Sequence, residues 1–314
     1  MELSVWGKHW GLPSIDTDCL ITLAYCQFSD IPSLTVHDIS SKWTSSIHCF
    51  PVLTQKNTIV KGSDRIIEFL KDQKYDCDSH LKTTNQSDCL AYTSLINKKL
   101  MPAVEHLFWT HTQNYLDITR PSWGSKLPFP LSLILPISER NRIQHRHEND
   151  CSLKNLTEAA RNLQIINNAK ECLNILSSKL GDKSYIFGEK PSSLDALIFG
   201  LLAPMNFIGA LPTNSLLVHL RCCTNLTRFC QRVIDNYFPE SRDELMRIKN
   251  EESEKMKEKM KETIELGEFP HKRKQLLIAS IVVIGSMLIY AIAMGIIHVE
   301  VVHDENRIPI EATD

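Results

Sequence analysis

The chain has 314 residues, 43% of them hydrophobic, and a formal net charge of −2. That is enough length for one large or two ordinary domains, and enough apolar material for a core. The near-neutral balance excludes the broad basic surface of a nucleic-acid binder, and the opening Met1-Glu2-Leu3-Ser4-Val5 reads as neither a secretory signal nor an Arg-rich transit peptide.

Leu3 to Trp6 predicts a strand, and Asp16 to Phe28 a helix with Cys19, Leu20, Leu23 and Ala24 on one face. Leu34 to His37 predicts a second strand, Phe50 to Leu53 a third and Thr58 to Val60 a fourth. Gly62-Ser63-Asp64 then breaks the pattern before a helix over Arg65 to Lys71. A β-α-β unit followed by a hairpin and a helix is the thioredoxin-like order, assigned to residues 1–76. From about Asp88 the pattern is helical throughout, which gives an all-helical domain over 77–240. Its predicted core stripes are Leu100, Val104, Leu107 and Phe108, then Leu163, Ile166, Ala169, Leu173, Leu176 and Leu180. Between the stripes lies Arg120 to Asp150, with Pro121, Pro128, Pro130 and Pro136, and this stretch predicts no regular helix but a loop or a second-layer wrap. Glu240 to Glu265 is dense in Glu and Lys and predicts a solvated helical spacer, assigned to 241–275. Its apolar stripe is thin: Leu245, Ile248, Met256, Met260 and Ile264.

Residues 276–297, LLIASIVVIGSMLIYAIAMGII, carry no charge. As a helix this run is roughly 33 Å long, close to a bilayer core of about 30 Å. It is therefore read as a transmembrane tail anchor. Lys272, Arg273 and Lys274 precede it, whereas the tail 298–314 holds Glu300, Asp304, Glu305, Glu311 and Asp314 against Arg307 alone. Basic flanks stay on the cytoplasmic side. The bulk of the chain is thus expected in the cytosol, with the short tail across the membrane.

Motifs for common chemistries are missing: there is no G-x-G-x-x-G, Walker A or G-x-S-x-G. The ten cysteines form no C-x-x-C pair, and they are expected as reduced, mostly buried thiols. His145 and His147 flank Arg146 in what reads as a polar loop, too sparse a set for a metal site. Ser192-x-x-Asp195 before an apolar run is a capping box with Asp in the Glu/Gln position, a structural device.

A thioredoxin-like domain followed by an all-helical one resembles the glutathione-transferase fold. Pro51, opening the third strand, stands where that fold has its cis-proline. Gly62-Ser63-Asp64 stands where the family's Glu/Gln-Ser pair holds the glutathione γ-glutamyl carboxylate. The resemblance narrows to the metaxins, and specifically to their membrane-anchored type. It is carried by Trp6-Gly7, Trp10-Gly11-Leu12-Pro13-Ser14 and Cys19-Leu20, by Thr119-Arg120-Pro121 with Leu127-Pro128-Phe129-Pro130-Leu131, by Phe187-Gly188 and Pro191 to Ala196, by Leu202-Ala203-Pro204, and by Asn225 to Cys230. It implies a non-enzymatic subunit of the sorting and assembly machinery of the mitochondrial outer membrane. Its partners there would be a second metaxin, a membrane-embedded β-barrel subunit and precursor proteins, with no cofactor and no nucleic acid. The glutathione site looks dismantled: the first strand ends at Trp6-Gly7, and Ser14, Ser63 and Asp64 are vestigial positions. Ser14 is read as a helix N-cap and Cys19 as a core thiol. Trp43, Trp109 and Trp123 are candidate interface aromatics, with core packing the equal alternative for Trp109, which neighbours Phe108. Alternatives are a mitochondrial adaptor for transport or signalling, acting through the charged spacer or the segment Gln144 to Asp150, and a residual glutathione transferase.

Overall fold

The computed structural model describes residues 1–38, 50–149, 156–268 and 272–294; beyond residue 261, side chains are described at 277–291 and 294. Two compact units emerge, Met1–Lys249 and Asn250–Asp314.

The first unit opens with β1 (Glu2–Val5), α1 (Thr17–Phe28), β2 (Thr35–Asp38), β3 (Val52–Gln55), β4 (Thr58–Lys61) and α2 (Ser63–Asp72). The sheet order is β2-β1-β3-β4. β1 runs parallel to β2, with Leu3 opposite Val36, and antiparallel to β3, with Leu3 opposite Leu53. β3 and β4 form the hairpin, so the predicted thioredoxin-like order is found. The Phe50–Pro51 bond is cis, as the resemblance implied, and the Pro51 carbonyl accepts from the Gly62 N–H at 2.9 Å. Asp16, not Ser14, caps α1: its carboxylate accepts from the Cys19 N–H at 3.0 Å. All eight residues from Cys19 to Cys26 are buried, a wider burial than one amphipathic face.

The helical part comprises α3 (Thr83–Lys99), α4 (Met101–Glu105), a π-helical turn at His106–Thr110, α5 (Thr112–Asn114), a second π-helical turn at Tyr115–Thr119, α6 (Arg120–Gly124), α7 (Leu131–Glu148), α8 (Glu158–Leu180), α9 (Ser193–Phe207), α10 (Ser215–Cys222), α11 (Thr224–Tyr237) and α12 (Pro239–Glu268). Helix α9 is the central post. A Cβ placed on its Gly200 would lie 2.3 Å from Ile21 Cγ1 and 3.0 Å from the Ile21 N, so only glycine lets α9 approach α1 this closely. The N-terminus of α9 carries the predicted capping box, with both arms present. Asp195 is fully buried; its carboxylate accepts from the Ser192 N–H (2.8 Å), the Ser192 hydroxyl (2.6 Å) and the Ile186 N–H (2.9 Å). Burial raises its carboxyl to about 6 against those three donors. The neighbouring Ser193 N–H donates to Asp78 at 2.8 Å, and Lys71 Nζ reaches the same carboxylate at 2.7 Å, so α2 and α9 share one anchor.

The proline-rich stretch departs from the expected loop. Pro121 falls in the first turn of α6, where a missing N–H has no intrahelical partner to lose. Pro136 falls six residues into α7, and the helix forgoes a single bond there. His145, Arg146 and His147 consequently lie in the last turn of α7 rather than in a loop. In α8, Leu163 is 60% exposed and the core stripe instead starts at Ile165 before Ala169, Leu173, Leu176 and Leu180. The sequence offers two apolar registers, and the neighbouring helices select one. Among the described residues, Cys222 is exposed and seven other cysteines are buried, all unpaired; Cys49 and Cys151 lie outside the described residues.

The first turns of α12 pack on the body. Gly11, at φ 76°, has no room for a Cβ, which would meet Leu245 Cδ2 at 2.6 Å. Lys8 also pairs with Glu240. Farther along, Met256 and Met260 are exposed. In the second unit α13 (Lys272–Ala293) is helical. Among the described residues no helix is long and apolar enough to cross a membrane. The apolar run of 276–297 extends past those residues, as do the side chains of Lys272, Arg273 and Lys274 and the tail 298–314.

Candidate functional site

The loop from β1 to α1 builds one wall of a cleft against the helical part. Trp10 and Gly11 both take positive φ (54° and 76°) in a tight turn closed by His9 and Leu12. This turn places Trp6, Trp10, Ile15 and Asp16 along one side of a cavity of about 190 Å3. Helix α4 supplies Val104 and Glu105, the π-helical turns bring in Phe108, Trp109 and Thr119, α6 gives Trp123, and α7 adds Glu139, Arg142 and Arg146. A π-turn adds one residue to a helical repeat and swings the following side chains sideways. Here that shift aims Phe108 and Trp109 inward, and the Thr119 hydroxyl secures it by donating to the Phe108 carbonyl at 2.6 Å.

The aromatic wall is continuous. Ring centroids are 4.5 Å apart for Trp6 and Trp123, 5.0 Å for Trp123 and Trp109, and 5.6 Å for Trp6 and Phe50. Trp123 is buried and Trp109 half-buried. Trp123 is therefore not the exposed interface aromatic that was expected, and Trp109 follows its alternative reading, packing into this cluster. Trp43 lies outside the described residues.

Four carboxylates and two guanidinium groups line the same cavity. Arg146 pairs with Glu105 at 3.0 Å, and the buried His147 ring takes the other Glu105 oxygen at 2.8 Å. Arg142 Nε donates to Glu139 at 3.0 Å, and that bond raises its pKa. Asp16 and Asp18 have no ion-pair partner among the described residues. Burial pushes Asp16 up to about 7, and the charge of Asp18 adds to the shift. Burial also raises Asp18, against the Ser63 hydroxyl that donates to it at 3.3 Å.

The predicted glutathione positions are not gathered into this cavity. Ser14 is fully buried, and its hydroxyl accepts from the Asp16 N–H at 3.3 Å. Ser63 is committed to Asp18. Asp64 is exposed and borders a separate cavity of about 530 Å3 with Glu68 and Lys71. Cys19 is fully buried, and burial holds its thiol well above the ordinary range, in an inert state. Sequence reasoning missed Asp16, Asp18, Glu105, Glu139, Arg142 and Arg146 as a group. Only the N-cap position of Asp16 left a local signal.

A sheet of this order, a cis-proline at the start of β3 and a helical part capped through Ser192 and Asp195 define a glutathione-transferase-like protein. Residues 169–233 match the glutathione S-transferase C-terminal domain, and residues 19–140 match the outer mitochondrial membrane transport complex protein family. The chain is 40% identical over 241 residues to metaxin-3 of Xenopus laevis, covering 76% of this chain and 77% of that one. It is 32% identical over 302 residues to metaxin-1 of Mus musculus, covering 96% and 92%. The β-etherase LigF of Sphingobium sp. strain SYK-6 overlays with a TM-score of 0.49 at 14% identity, covering 78% of this chain and 98% of that one. The chain belongs to the metaxin family.

Proposed function

We propose that this chain is a non-enzymatic subunit of the sorting and assembly machinery of the mitochondrial outer membrane, supporting protein import and β-barrel insertion. The observation that carries the reading is membership of the metaxin family together with the transport-complex match over 19–140. The body faces the cytosol and holds a second metaxin and the β-barrel subunit. The segment 276–297 anchors it, Lys272, Arg273 and Lys274 keep its near end cytosolic, and 298–314 lies in the intermembrane space. The anchor reading is supported by Leu277, Ile281, Ile284 and Leu288, all more than half exposed, which leaves them no protein core. On this reading 1–76 and 77–240 are the two domains of the body and 241–275 is the spacer.

The non-enzymatic part rests on charge and on missing groups. Ser14, Ser63 and Asp64 occupy vestigial glutathione positions. A γ-glutamyl carboxylate beside Ser63 would meet the carboxylate of Asp18, which already holds the serine hydroxyl. β1 leads into Trp6-Gly7-Lys8-His9, with no Tyr, Ser or Cys at the strand's end, and Ser14, the hydroxyl in the loop before α1, is fully buried and accepts from the Asp16 N–H.

The test is assembly of a radiolabelled porin precursor in mitochondria depleted of this chain, resolved on a native gel. Assembled porin is expected to fall while import of a matrix precursor continues. Normal porin assembly would overturn the reading and favour a transport adaptor.

A further inference from the structure

We propose that the cleft between the β1–α1 loop and α7 is a binding site for a single organic cation, a guanidinium or alkylammonium group on a short chain. This goes beyond the transport reading and does not depend on it.

Size sets the first bound. At about 190 Å3 the cavity falls short of the roughly 300–1,000 Å3 of sites that take drug-sized ligands. It holds a group the size of one basic side chain. The walls set the second. Trp6, Trp123, Trp109 and Trp10 line the space, and indole faces attract cations through their quadrupole, most strongly where water is excluded. Charge sets the third. Both guanidinium groups are already matched, Arg146 to Glu105 and Arg142 to Glu139. Asp16 and Asp18 are what remains, two residues apart at the start of α1; neither makes an ion pair among the described residues, and Arg142, already bonded to Glu139, offsets Asp18 only in part. A carboxylate pair in an aromatic-walled cavity is costly in its charged form, and the cost is relieved either by protonation or by a counter-charge that enters. An anion the size of glutathione meets the opposite situation, because every uncompensated group it would approach is negative.

The guanidinium or ammonium group has two possible sources, a free amine or the side chain of a polypeptide, and the probes separate them. The full chain, held in non-ionic detergent, is titrated at low salt with agmatine, which carries a guanidinium at one end and an ammonium at the other, with the blocked peptide acetyl-Gly-Arg-Gly-amide, with N-butylurea, the neutral analogue of the butylguanidinium part, and with glutathione. Four of the five tryptophans line the cavity, so tryptophan fluorescence reports occupancy directly. Agmatine is expected to give a saturable change, and N-butylurea and glutathione none. Matching affinity for the peptide identifies a polypeptide side chain as the ligand; agmatine alone identifies a free amine. Asp16→Asn keeps an N-capping side chain while removing its charge. Combined with Asp18→Asn, it is expected to weaken agmatine at least tenfold with an unchanged far-UV spectrum. The proposal is overturned if agmatine gives no saturable response in the millimolar range, if N-butylurea binds as well as agmatine, if glutathione displaces agmatine, or if the folded double variant binds undiminished. The N-butylurea comparison uses the unaltered chain, so it decides even where a variant does not fold.

Discussion

Asp16 does two jobs, and they pull in opposite directions. As the N-cap of α1 it satisfies the Cys19 N–H and favours the helix dipole, both of which prefer a carboxylate. As a cleft residue it stands close to Asp18, and Glu139 on α7 adds repulsion. Burial outweighs the cap, and the carboxyl rises from an ordinary value of 3.8 to about 7. The sign for stability follows directly. Between these values the folded chain holds a proton that the unfolded chain has released. The stabilisation is therefore complete below about pH 4 and is lost as pH rises to 7. Asp16→Asn removes the charge and keeps the cap. Its melting temperature is expected to match the unaltered chain at pH 4 and to exceed it at pH 8. The gain is about 2 kcal/mol, below the full linkage value because Asp18, which Arg142 partly offsets, shares the titration. At roughly 2–4 °C per kcal/mol this is about 4–8 °C, measured by circular dichroism at both pH values. An equal shift at both would show that the cost is not electrostatic. Such a cost is what a charge retained for a ligand leaves behind in the empty protein.

At the level of elements, what the sequence made legible depended on how local the signal was. The four strands, α1 and α2 were readable because turn residues and β-branched runs punctuate them within a few positions. Ser192 and Asp195 were readable because a capping box is complete in four residues. The helical state of 120–148 was not, because a count of prolines ignores their register. Pro121 and Pro136 sit where a helix loses little, and nothing local distinguishes those places from damaging ones. The cleft was hardest: its charged groups come from α1, α4 and α7, more than a hundred residues apart in all, and only the packing brings them together. That packing turns on the α1–α9 contact at Gly200. Gly200→Ala gains about 1 kcal/mol of helix propensity. It also forces a Cβ to within 2.3 Å of Ile21 Cγ1 and 3.0 Å of a backbone nitrogen that cannot rotate away. Overpacking of this kind costs about 1–3 kcal/mol. With the backbone as one of the partners, the upper part of that range applies, and the expected net is a destabilisation of about 2 kcal/mol. Urea unfolding followed at 222 nm is expected to show a lower midpoint with an unchanged slope. Ile21→Ala truncates a buried side chain and has a cost of its own, so relief of the Cγ1 contact is expected as a double variant less destabilised than the sum of the two single ones.

For the whole molecule, the compositions of its two ends impose different solvents. Residues 1–249 bury a large core in which Phe199, Phe229 and Tyr25 are all but inaccessible. The run 276–297 holds twelve Leu, Ile or Val residues and no charge. Its described members, Leu277, Ile278, Ile281, Val282 and Ile289 among them, are exposed on successive turns, so water would have to solvate them all. At about −0.3 to −0.6 kcal/mol each they favour a bilayer by roughly 4–7 kcal/mol, or about 10³–10⁵ in partition. No such gain exists for the charged α12, whose described residues beyond Lys249 are all exposed and dense in Glu and Lys. The expected outcome is that the full chain, made in cells, stays with the membrane pellet after alkaline carbonate extraction, while a chain ending at Glu268 moves to the supernatant. A tag placed after Asp314 is expected to resist protease added to intact mitochondria, and one placed before Met1 to be removed. Release of the full chain by carbonate would sink the anchor. Its retention with the C-terminal tag exposed would keep the anchor but reverse the orientation assigned from Lys272, Arg273 and Lys274. Only in the case of release would the body's place at the outer membrane have to come from protein contacts alone, and the porin and carbonate experiments together separate those cases.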